Sequence, residues 1–136
     1  MYTPLSAPRD RITVPGEMRP QVVIVDDQAT FRGAARQLLE ARGYDVVAEA
    51  VSADTALAAV DEYEPIAVLL DVRLGDDDGF AVCGALTRSH PELAVLLASD
   101  GDYEHMTDRI ATCGACGFVR KSRLALVDLG EFWPTA

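Results

Sequence analysis

Basic side chains are scarce in this sequence. Twelve lysines and arginines stand against 22 aspartates and glutamates in 136 residues, which gives a formal net charge of −10. A protein that binds nucleic-acid phosphates needs a basic face, so this composition argues against direct nucleic-acid binding. It also argues against a basic helix that lies on a membrane surface. Where aspartates cluster, such an excess suits a hard cation such as Mg²⁺.

Long apolar runs and cysteines are also few. No apolar stretch reaches the roughly 20 residues that a membrane-spanning helix requires. The first residues lack the basic region and apolar segment of a secretory signal peptide. We therefore expect a cytoplasmic protein without a membrane partner. Three cysteines are too few for a disulfide scaffold, whereas a hydrophobic content of 49% suffices for one folded core.

Short apolar runs alternate with segments of helical spacing along most of the chain. Five strands are predicted at residues 21–27, 44–50, 66–71, 93–98 and 116–119. Helices are predicted at 29–42, between Ser52 and Pro65, and at 80–89, 103–112 and 124–130. Five successive strand–helix units are typical of a parallel sheet with right-handed crossovers and helices on both faces.

The chain divides into one domain and two short ends. Residues 1–20 are rich in proline and show no sustained periodicity, which predicts a flexible N-terminal leader. The folded domain is expected over residues 21–131, and residues 132–136 form a C-terminal tail. The tail carries Phe132 and Trp133, which either pack under the last helix or mark a contact surface.

The carboxyl ends of the predicted strands carry reactive side chains. Asp26 and Asp27 follow the first strand, Asp71 the third, Ser99 the fourth and Lys121 the fifth. Ligands of open α/β sheets bind beyond these ends, and in a sheet of order 2-1-3-4-5 the first and third strands are neighbours. The three carboxylates would then converge, and they would repel one another unless a cation lay among them. Such hard oxygen ligands suit Mg²⁺.

The other two side chains suit phosphate chemistry. Ser99 offers a hydroxyl donor, and Lys121 offers a cation for phosphoryl oxygens. An aspartate with a metal beside it and a lysine across from it can act as a nucleophile toward phosphorus. The sequence therefore indicates Asp71 as the acceptor of a phosphoryl group.

The order and spacing of these residues resemble the receiver domain of two-component response regulators. The residues that carry the resemblance are Asp26-Asp27, Asp71, Asp78-Gly79, Ser99 and the segment 117–121. The resemblance covers about residues 21–130 and is closest to receivers that are usually attached to helix-turn-helix output domains. It implies a flavodoxin-like, doubly wound (βα)5 fold, with five parallel strands in the order 2-1-3-4-5 and helices on both faces.

The resemblance implies a role for each residue of the site. Asp71 accepts a phosphoryl group from a sensor histidine kinase, and Lys121 pairs with that group. Asp26 and Asp27 hold Mg²⁺, together with Asp71 and the backbone carbonyl of Arg73. The domain phosphorylates and dephosphorylates itself and is a signalling domain rather than a turnover enzyme.

The resemblance also implies a conformational switch. Ser99 hydrogen-bonds the phosphoryl group, and Phe118 is the aromatic residue whose rotamer follows the displacement of Ser99. The fourth helix, the fifth strand and the fifth helix form the surface that changes. Static packing of Phe118 in the core is the alternative interpretation. The signal is expected to pass to a separate downstream protein or to an output domain absent from this chain. Formation of a homodimer is left open.

Three positions depart from the family pattern. Gly75 stands where proline is usual, which would make the loop after the acceptor more mobile. Ser122 replaces the proline after Lys121, and a serine there is expected to have a trans peptide bond. Asp100 stands where a small apolar residue is common, and it could repel a phosphoryl group or contact Lys121. Each change could slow phosphorylation or alter the lifetime of its product.

Two other functions fit the same fold. One is a protein-interaction module that works without phosphorylation. The other is a metal-dependent phosphohydrolase with an aspartyl nucleophile. That class generally has a second aspartate two residues after the nucleophile as general acid, and Arg73 occupies this place. The hydrolase is therefore the weaker alternative.

Cys113 and Cys116 have the CxxC spacing of zinc and redox sites. A zinc site needs four ligands, and the remaining candidates Cys83, His90 and His105 are scattered along the sequence. A redox pair usually lies at the start of a helix, whereas this pair falls at a predicted helix end. We interpret the cysteines as structural and the two histidines as surface residues.

Overall fold

Five parallel strands form the sheet at the centre of the protein. The computed structural model describes residues 19–101 and 104–134. The parallel strands are β1 (Gln21–Val25), β2 (Asp45–Ala50), β3 (Ala67–Asp71), β6 (Ala94–Ser99) and β7 (Gly117–Arg120), and the two-residue strands β4 (Arg73–Leu74) and β5 (Asp77–Asp78) pair antiparallel. The sheet order is β2-β1-β3-β6-β7, which is 2-1-3-4-5 when the parallel strands are counted alone. The predicted flavodoxin-like fold class is confirmed.

Four α-helices cover the sheet. Their bounds are α1 Ala29–Ala41, α2 Ala53–Tyr63, α3 Gly79–Ser89 and α4 Thr107–Thr112. Helices α2, α3 and α4 contribute to the apolar layer on one face, and α1 contributes to the layer on the other. The three central strands β1, β3 and β6 are buried almost throughout, because their runs of valine, isoleucine and leucine meet a layer on each side. None of the described helices is long and apolar enough to cross a bilayer.

The fourth helix is shorter than the sequence predicts. Helix α4 begins at Thr107 and follows a 3-10 turn over Glu104–Met106, and the predicted start at residue 103 lies outside the described residues. Its six residues include no fully buried side chain, although Ile110 packs partly against the core. A helix this short has little stability of its own, so it depends on contacts with its neighbours.

A hairpin follows β3, where the sequence predicts only a loop. Gly75 and Asp76 join β4 to β5, and Leu74 is buried beneath the turn. Gly75 has a φ of +58°, which glycine adopts without strain and proline cannot adopt. Glycine at this position therefore permits a tight turn, and its expected effect on loop mobility stays a prediction.

The predicted α-helix at 124–130 is wrong. Two 3-10 segments, Lys121–Leu126 and Leu129–Glu131, occupy its place. Val127 between them is extended, and the Asp128 carboxylate accepts a hydrogen bond from the Gly130 N–H, a local turn that competes with helical bonding. The face with α1 is therefore completed by an irregular segment, residues 121–134, which we call the C-terminal strap.

The strap is fastened to the sheet and to the end of α1. Leu124, Leu129 and Trp133 are buried against the strand side chains. The Trp133 ring meets Tyr44 edge-on at 5.4 Å between centroids, and the Tyr44 hydroxyl donates to the Pro134 carbonyl at 3.1 Å. The two tail aromatics, Phe132 and Trp133, thus pack against the domain.

Two carbonyl groups of the strap accept hydrogen bonds from Arg42, the residue that follows α1. The Arg42 guanidinium donates to the carbonyl of Val127 at 2.8 Å and to the carbonyl of Ala125. Gly117 at the start of β7 leaves room for Phe132, because a Cβ there would lie 2.4 Å from the ring. These contacts replace part of what regular helical bonding would supply.

The buried Trp133 should carry much of the strap's stability. We expect Trp133→Ala to lower the free energy of unfolding by about 3–5 kcal/mol, because it removes a large buried ring and leaves a cavity. Leu126→Ala is the control, since Leu126 is 72% exposed, and its effect should stay within about 0.5 kcal/mol. Urea unfolding of both variants measures the difference; equal losses would show that the strap is not anchored by Trp133.

Candidate functional site

Three carboxylates meet at the carboxyl edge of the sheet. Val25 of β1 is in register with Leu70 of β3, so the residues that follow, Asp26 and Asp71, come side by side. Asp27 is the next residue and is exposed. One oxygen from each of the three carboxylates lies within 4.8 Å of the others. The structure thus brings together the three aspartates that the sequence singles out.

Asp26 is buried and held on every side. Its N–H donates to the Ala50 carbonyl at 3.0 Å, and its own carbonyl accepts from the Arg32 guanidinium at 2.8 Å. One carboxylate oxygen accepts from the Gln28 backbone N–H at 2.8 Å, and the other lies 2.6 Å from the Lys121 ammonium. These contacts fix the direction in which the carboxylate points.

Lys121 lies between two of the carboxylates. Its Nζ is 2.6 Å from Asp26 and 3.2 Å from Asp71, and it donates to the Gln28 side-chain oxygen at 3.4 Å. The same ammonium is 4.5 Å from the centroid of the Phe31 ring, a cation–π contact. The contacts of Gln28 and Phe31 with Lys121 were not predicted from the sequence. The position of both residues just after the paired aspartates could have indicated that they lie near the site.

Burial raises the pKa of the Asp71 carboxyl, and the charge of Asp26 adds to the rise. The Arg73 N–H, which donates to Asp71 at 3.1 Å, and the Lys121 ammonium lower that pKa without cancelling the effect. Burial alone would lower the pKa of Lys121, but its contacts with the two carboxylates raise the pKa overall. Asp71 is therefore a poorly solvated carboxylate beside a cation, which suits a nucleophile.

A cleft of about 470 Å³ opens over Asp71. Ser99 at the end of β6 lines it and is itself buried, and its hydroxyl accepts the Gly101 N–H at 3.2 Å. His105 also lines the cleft and is exposed, as predicted for a surface residue. The strand ends thus place a hydroxyl and a cation beside one carboxylate in an open cleft.

Two of the three departures from the family pattern, Gly75 and Asp100, line this cleft. A Cβ on Gly75 would be 3.8 Å from the Asp27 carboxylate, so this turn lies next to the acidic cluster. Asp100 is exposed and lines the cleft, and its carboxylate makes no ion pair with Lys121 among the described residues. The peptide bond before Ser122 is trans, as expected.

Phe118 lies away from the acidic cluster. It is half-buried on β7 and packs against the apolar layer formed by α2, α3 and α4. A cavity of about 300 Å³ beside it is lined by Thr107, Ile110 and Ala111. Phe118 thus has space on its α4 side, and its rotamer role stays a prediction.

Asp78 connects the loop to α4. Its carboxylate accepts the Phe80 N–H at 2.9 Å, which caps α3, and it also forms an ion pair with Arg109. The Arg109 guanidinium lies over the Phe80 ring at 4.3 Å from the centroid. Sequence reasoning missed Arg109, since nothing in its local pattern shows that α4 packs beside this loop.

The cysteines are buried to different degrees and do not form a metal cluster in the described part of the chain. Cys83 is fully buried in α3, and its thiol donates to the Cys113 carbonyl at 3.3 Å. Burial raises the pKa of the Cys83 thiol, which keeps it protonated and poorly reactive. Cys116 is exposed, and the structural interpretation of the CxxC pair stays a prediction.

Comparison with known proteins gives the family. The model of the response regulator receiver domain matches residues 22–128, which include the whole parallel sheet except Gln21. This chain belongs to the response regulator receiver family. The receiver model also covers the three aspartates, Ser99 and Lys121.

Individual relatives of this receiver agree with that assignment. The DNA-binding transcriptional activator DevR/DosR of Mycobacterium tuberculosis is 39% identical over 103 residues, which are 74% of this chain and 47% of the relative. The response regulator GacA of Pseudomonas protegens is 31% identical over 102 residues, 74% of this chain and 48% of the relative. The chain spans about half the length of these curated relatives.

A solved structure is similar as well. A two-component response regulator of the LuxR family from Aurantimonas sp. SI85-9A1 superposes with a TM-score of 0.71 at 29% identity, over 75% of this chain and 74% of that one. The receiver fold and the family assignment therefore rest on sequence and structure together.

The raised pKa of Asp71 makes the receiver's stability depend on pH. In metal-free buffer at pH 7, ionised Asp71 is less favourable in the folded state than in the unfolded chain, so Asp71→Asn should stabilise the domain. The gain in the free energy of unfolding should shrink as pH falls through the raised pKa of Asp71 in the folded state. It should vanish below the pKa of an aspartate in the unfolded chain, about 3.9. Thermal unfolding between pH 4 and 8 measures it, with Asp76→Asn, an exposed carboxylate of the same hairpin, as control.

Proposed function

We propose that this receiver accepts a phosphoryl group on Asp71 from a sensor histidine kinase. The observation that carries the proposal is the placement of the Asp71 carboxylate, which is desolvated, 3.2 Å from the Lys121 ammonium and open to a cleft. An Asp71 oxygen bonds to phosphorus as the bond from phosphorus to the kinase histidine breaks. The electron pair of that bond stays on the histidine nitrogen.

Mg²⁺ is the proposed cofactor. The donor set fits this ion, since three carboxylate oxygens lie within 4.8 Å of one another at a partly open site. Asp26, Asp27, Asp71 and the backbone carbonyl of Arg73 would hold it. When bound, the cation neutralises charge on the phosphoryl oxygens.

The chain's own groups prepare the acceptor. Lys121, which now divides its charge between Asp26 and Asp71, pairs with an incoming phosphoryl oxygen. Ser99 gives up its contact with the Gly101 N–H and turns its hydroxyl toward the phosphoryl group. The hydroxyl and the ammonium then stabilise charge from two sides.

The proposed signalling surface includes α4 and β7. Phe118 would follow the movement of Ser99, and the cavity lined by Thr107, Ile110 and Ala111 gives its ring space on the α4 side. The strap takes the place of the fifth helix in this surface. We thus propose a switch of α4, β7 and strap, in which phosphorylation biases two packing states.

The partners follow from the same proposal. A sensor kinase supplies the phosphoryl group. A separate protein or an output domain outside this chain responds to the switch, and a homodimer is a further proposed state.

The domain acts as a cytoplasmic signalling unit rather than a turnover enzyme, with no nucleic-acid or membrane contact of its own. The proposed receiver domain includes Phe132 and Trp133, since these strap aromatics pack against the core.

Intact mass spectrometry tests the acceptor. The protein is incubated with Mg²⁺ and acetyl phosphate, and we expect one phosphate adduct that is absent in Asp71→Asn and retained in Asp76→Asn. Asp76 is an exposed carboxylate five residues away, so it controls for loss of charge in the same loop. Omission of Mg²⁺ should abolish the adduct.

The alternatives give different results. A chain that forms no adduct yet binds its partner unchanged would be an interaction module that works without phosphorylation. Multiple turnover on a phosphomonoester would identify a phosphohydrolase. An adduct that persists in Asp71→Asn would refute Asp71 as the acceptor.

Asp100 should slow phosphorylation by repulsion. Its exposed carboxylate lines the cleft and does not pair with Lys121, so an incoming phosphate meets its negative charge. We expect Asp100→Asn to speed labelling by acetyl phosphate about two- to fourfold at low salt, the effect of one partly screened charge. The gain should fall as ionic strength rises. Asp108→Asn, on the exposed side of α4, is the control and should leave the labelling rate unchanged.

A further inference from the structure

One side chain outside the proposed cation ligands contacts a ligand's backbone. Arg32 lies on the first turn of α1, where its own N–H bonds to the Gln28 carbonyl at 3.0 Å. Its Nη1 donates to the carbonyl of Asp26 at 2.8 Å. Asp26 has left the sheet at this point, so its carbonyl has lost the strand partner that a residue within β1 would have. Arg32 supplies the missing donor.

A carboxylate holds Arg32 in place. Glu49 of β2 accepts from Arg32 Nε at 2.9 Å and from Arg36 Nε at 2.7 Å. The hydrogen bond from Arg36, with a smaller contribution from Arg32, lowers the pKa of Glu49, so Glu49 stays ionised. The positive charge of Arg32 is thus offset by a neighbour. Arg32 can therefore orient Asp26 without adding much repulsion toward a cation.

We infer that Arg32 is a positioning residue for the cation site, which acts by fixing the peptide group of Asp26. This inference rests on the proposed role of Asp26 as a Mg²⁺ ligand. The Cα of Asp26 lies between two peptide groups. The N–H of the first donates to the Ala50 carbonyl, and the carbonyl of the second accepts from Arg32. Loss of the Arg32 bond frees the second peptide group to rotate, which turns the carboxylate away from Asp27 and Asp71. Groups that orient metal ligands commonly affect affinity tenfold or more.

Arg36 provides a matched control. It binds the same Glu49 carboxylate and lies one helical turn further along α1. Its other guanidinium contacts go to the Val46 carbonyl and the Glu40 carboxylate, both at 3.2 Å, and neither involves Asp26. Arg36→Gln therefore removes the same charge from the same network while the Asp26 carbonyl keeps its donor.

Magnesium titration of the full, unphosphorylated chain tests the inference. Binding is followed by backbone amide shifts for wild type, Arg32→Gln and Arg36→Gln. We expect Arg32→Gln to raise the dissociation constant for Mg²⁺ about tenfold, with Arg36→Gln within twofold of wild type. Arg32→Lys, which keeps the charge and one donor group, should lie between.

Electrostatics alone makes the opposite prediction. Removal of a nearby positive charge would tighten the binding of a divalent cation, so a lower dissociation constant in Arg32→Gln would overturn the inference. Equal changes in Arg32→Gln and Arg36→Gln would also overturn it. The Asp27 amide nitrogen, bonded to the Asp26 carbonyl carbon, should shift in the metal-free Arg32→Gln variant and stay unchanged in Arg36→Gln.

The titration also separates this inference from the proposed function. A wild-type chain that binds Mg²⁺ without accepting phosphate would end the proposal for Asp71 but leave the role of Arg32 standing. A wild-type chain that binds no Mg²⁺ would overturn the role of Arg32. If Arg32→Gln fails to fold, as judged by thermal unfolding, the comparison of Arg32→Lys with Arg36→Lys decides the outcome in the same way.

Discussion

The site depends on one cation held between two buried carboxylates. Asp26 follows β1 and Asp71 ends the neighbouring strand β3, and without Lys121 the repulsion between the two buried carboxylates would be costly. Strand β6 separates β3 from β7, so Lys121 has to reach over the end of β6. The four-carbon side chain of lysine provides the reach. The sheet order and the length of this side chain together bring the cation to the two carboxylates.

Much of this arrangement could be predicted from the sequence, because it follows from strand ends. The apolar runs that finish at Val25 and Leu70 mark strands buried on both faces, and the polar residues after them must lie at a common edge. The strand order then determines which ends are neighbours. The family model and the sheet order confirm the receiver assignment and its fold class, while the roles of the site residues stay proposals.

The irregular strap and the contacts of Arg32 and Arg109 could not be predicted, because they depend on local turns or on contacts between residues far apart in the sequence. The segment at 124–130 has helical spacing, but the turn at Asp128 and the anchors Arg42 and Trp133 favour an irregular path. In this segment, tertiary contacts override the intrinsic helix propensity of the residues. Arg32 and Arg109 look like solvent-facing residues of helices, and their contacts depend on how each helix sits over a loop. No single-sequence pattern contains that information.

The strap joins opposite ends of the molecule. It begins at Lys121, beside the acidic cluster, and its far end is tied by Tyr44 and Phe132 to the positions where β2 and β7 start. The two ends are separated by the length of a five-residue strand, about 17 Å. Pro134 therefore lies at the edge of the sheet away from Asp71. One continuous stretch of chain connects the lysine at the acidic cluster with that opposite edge.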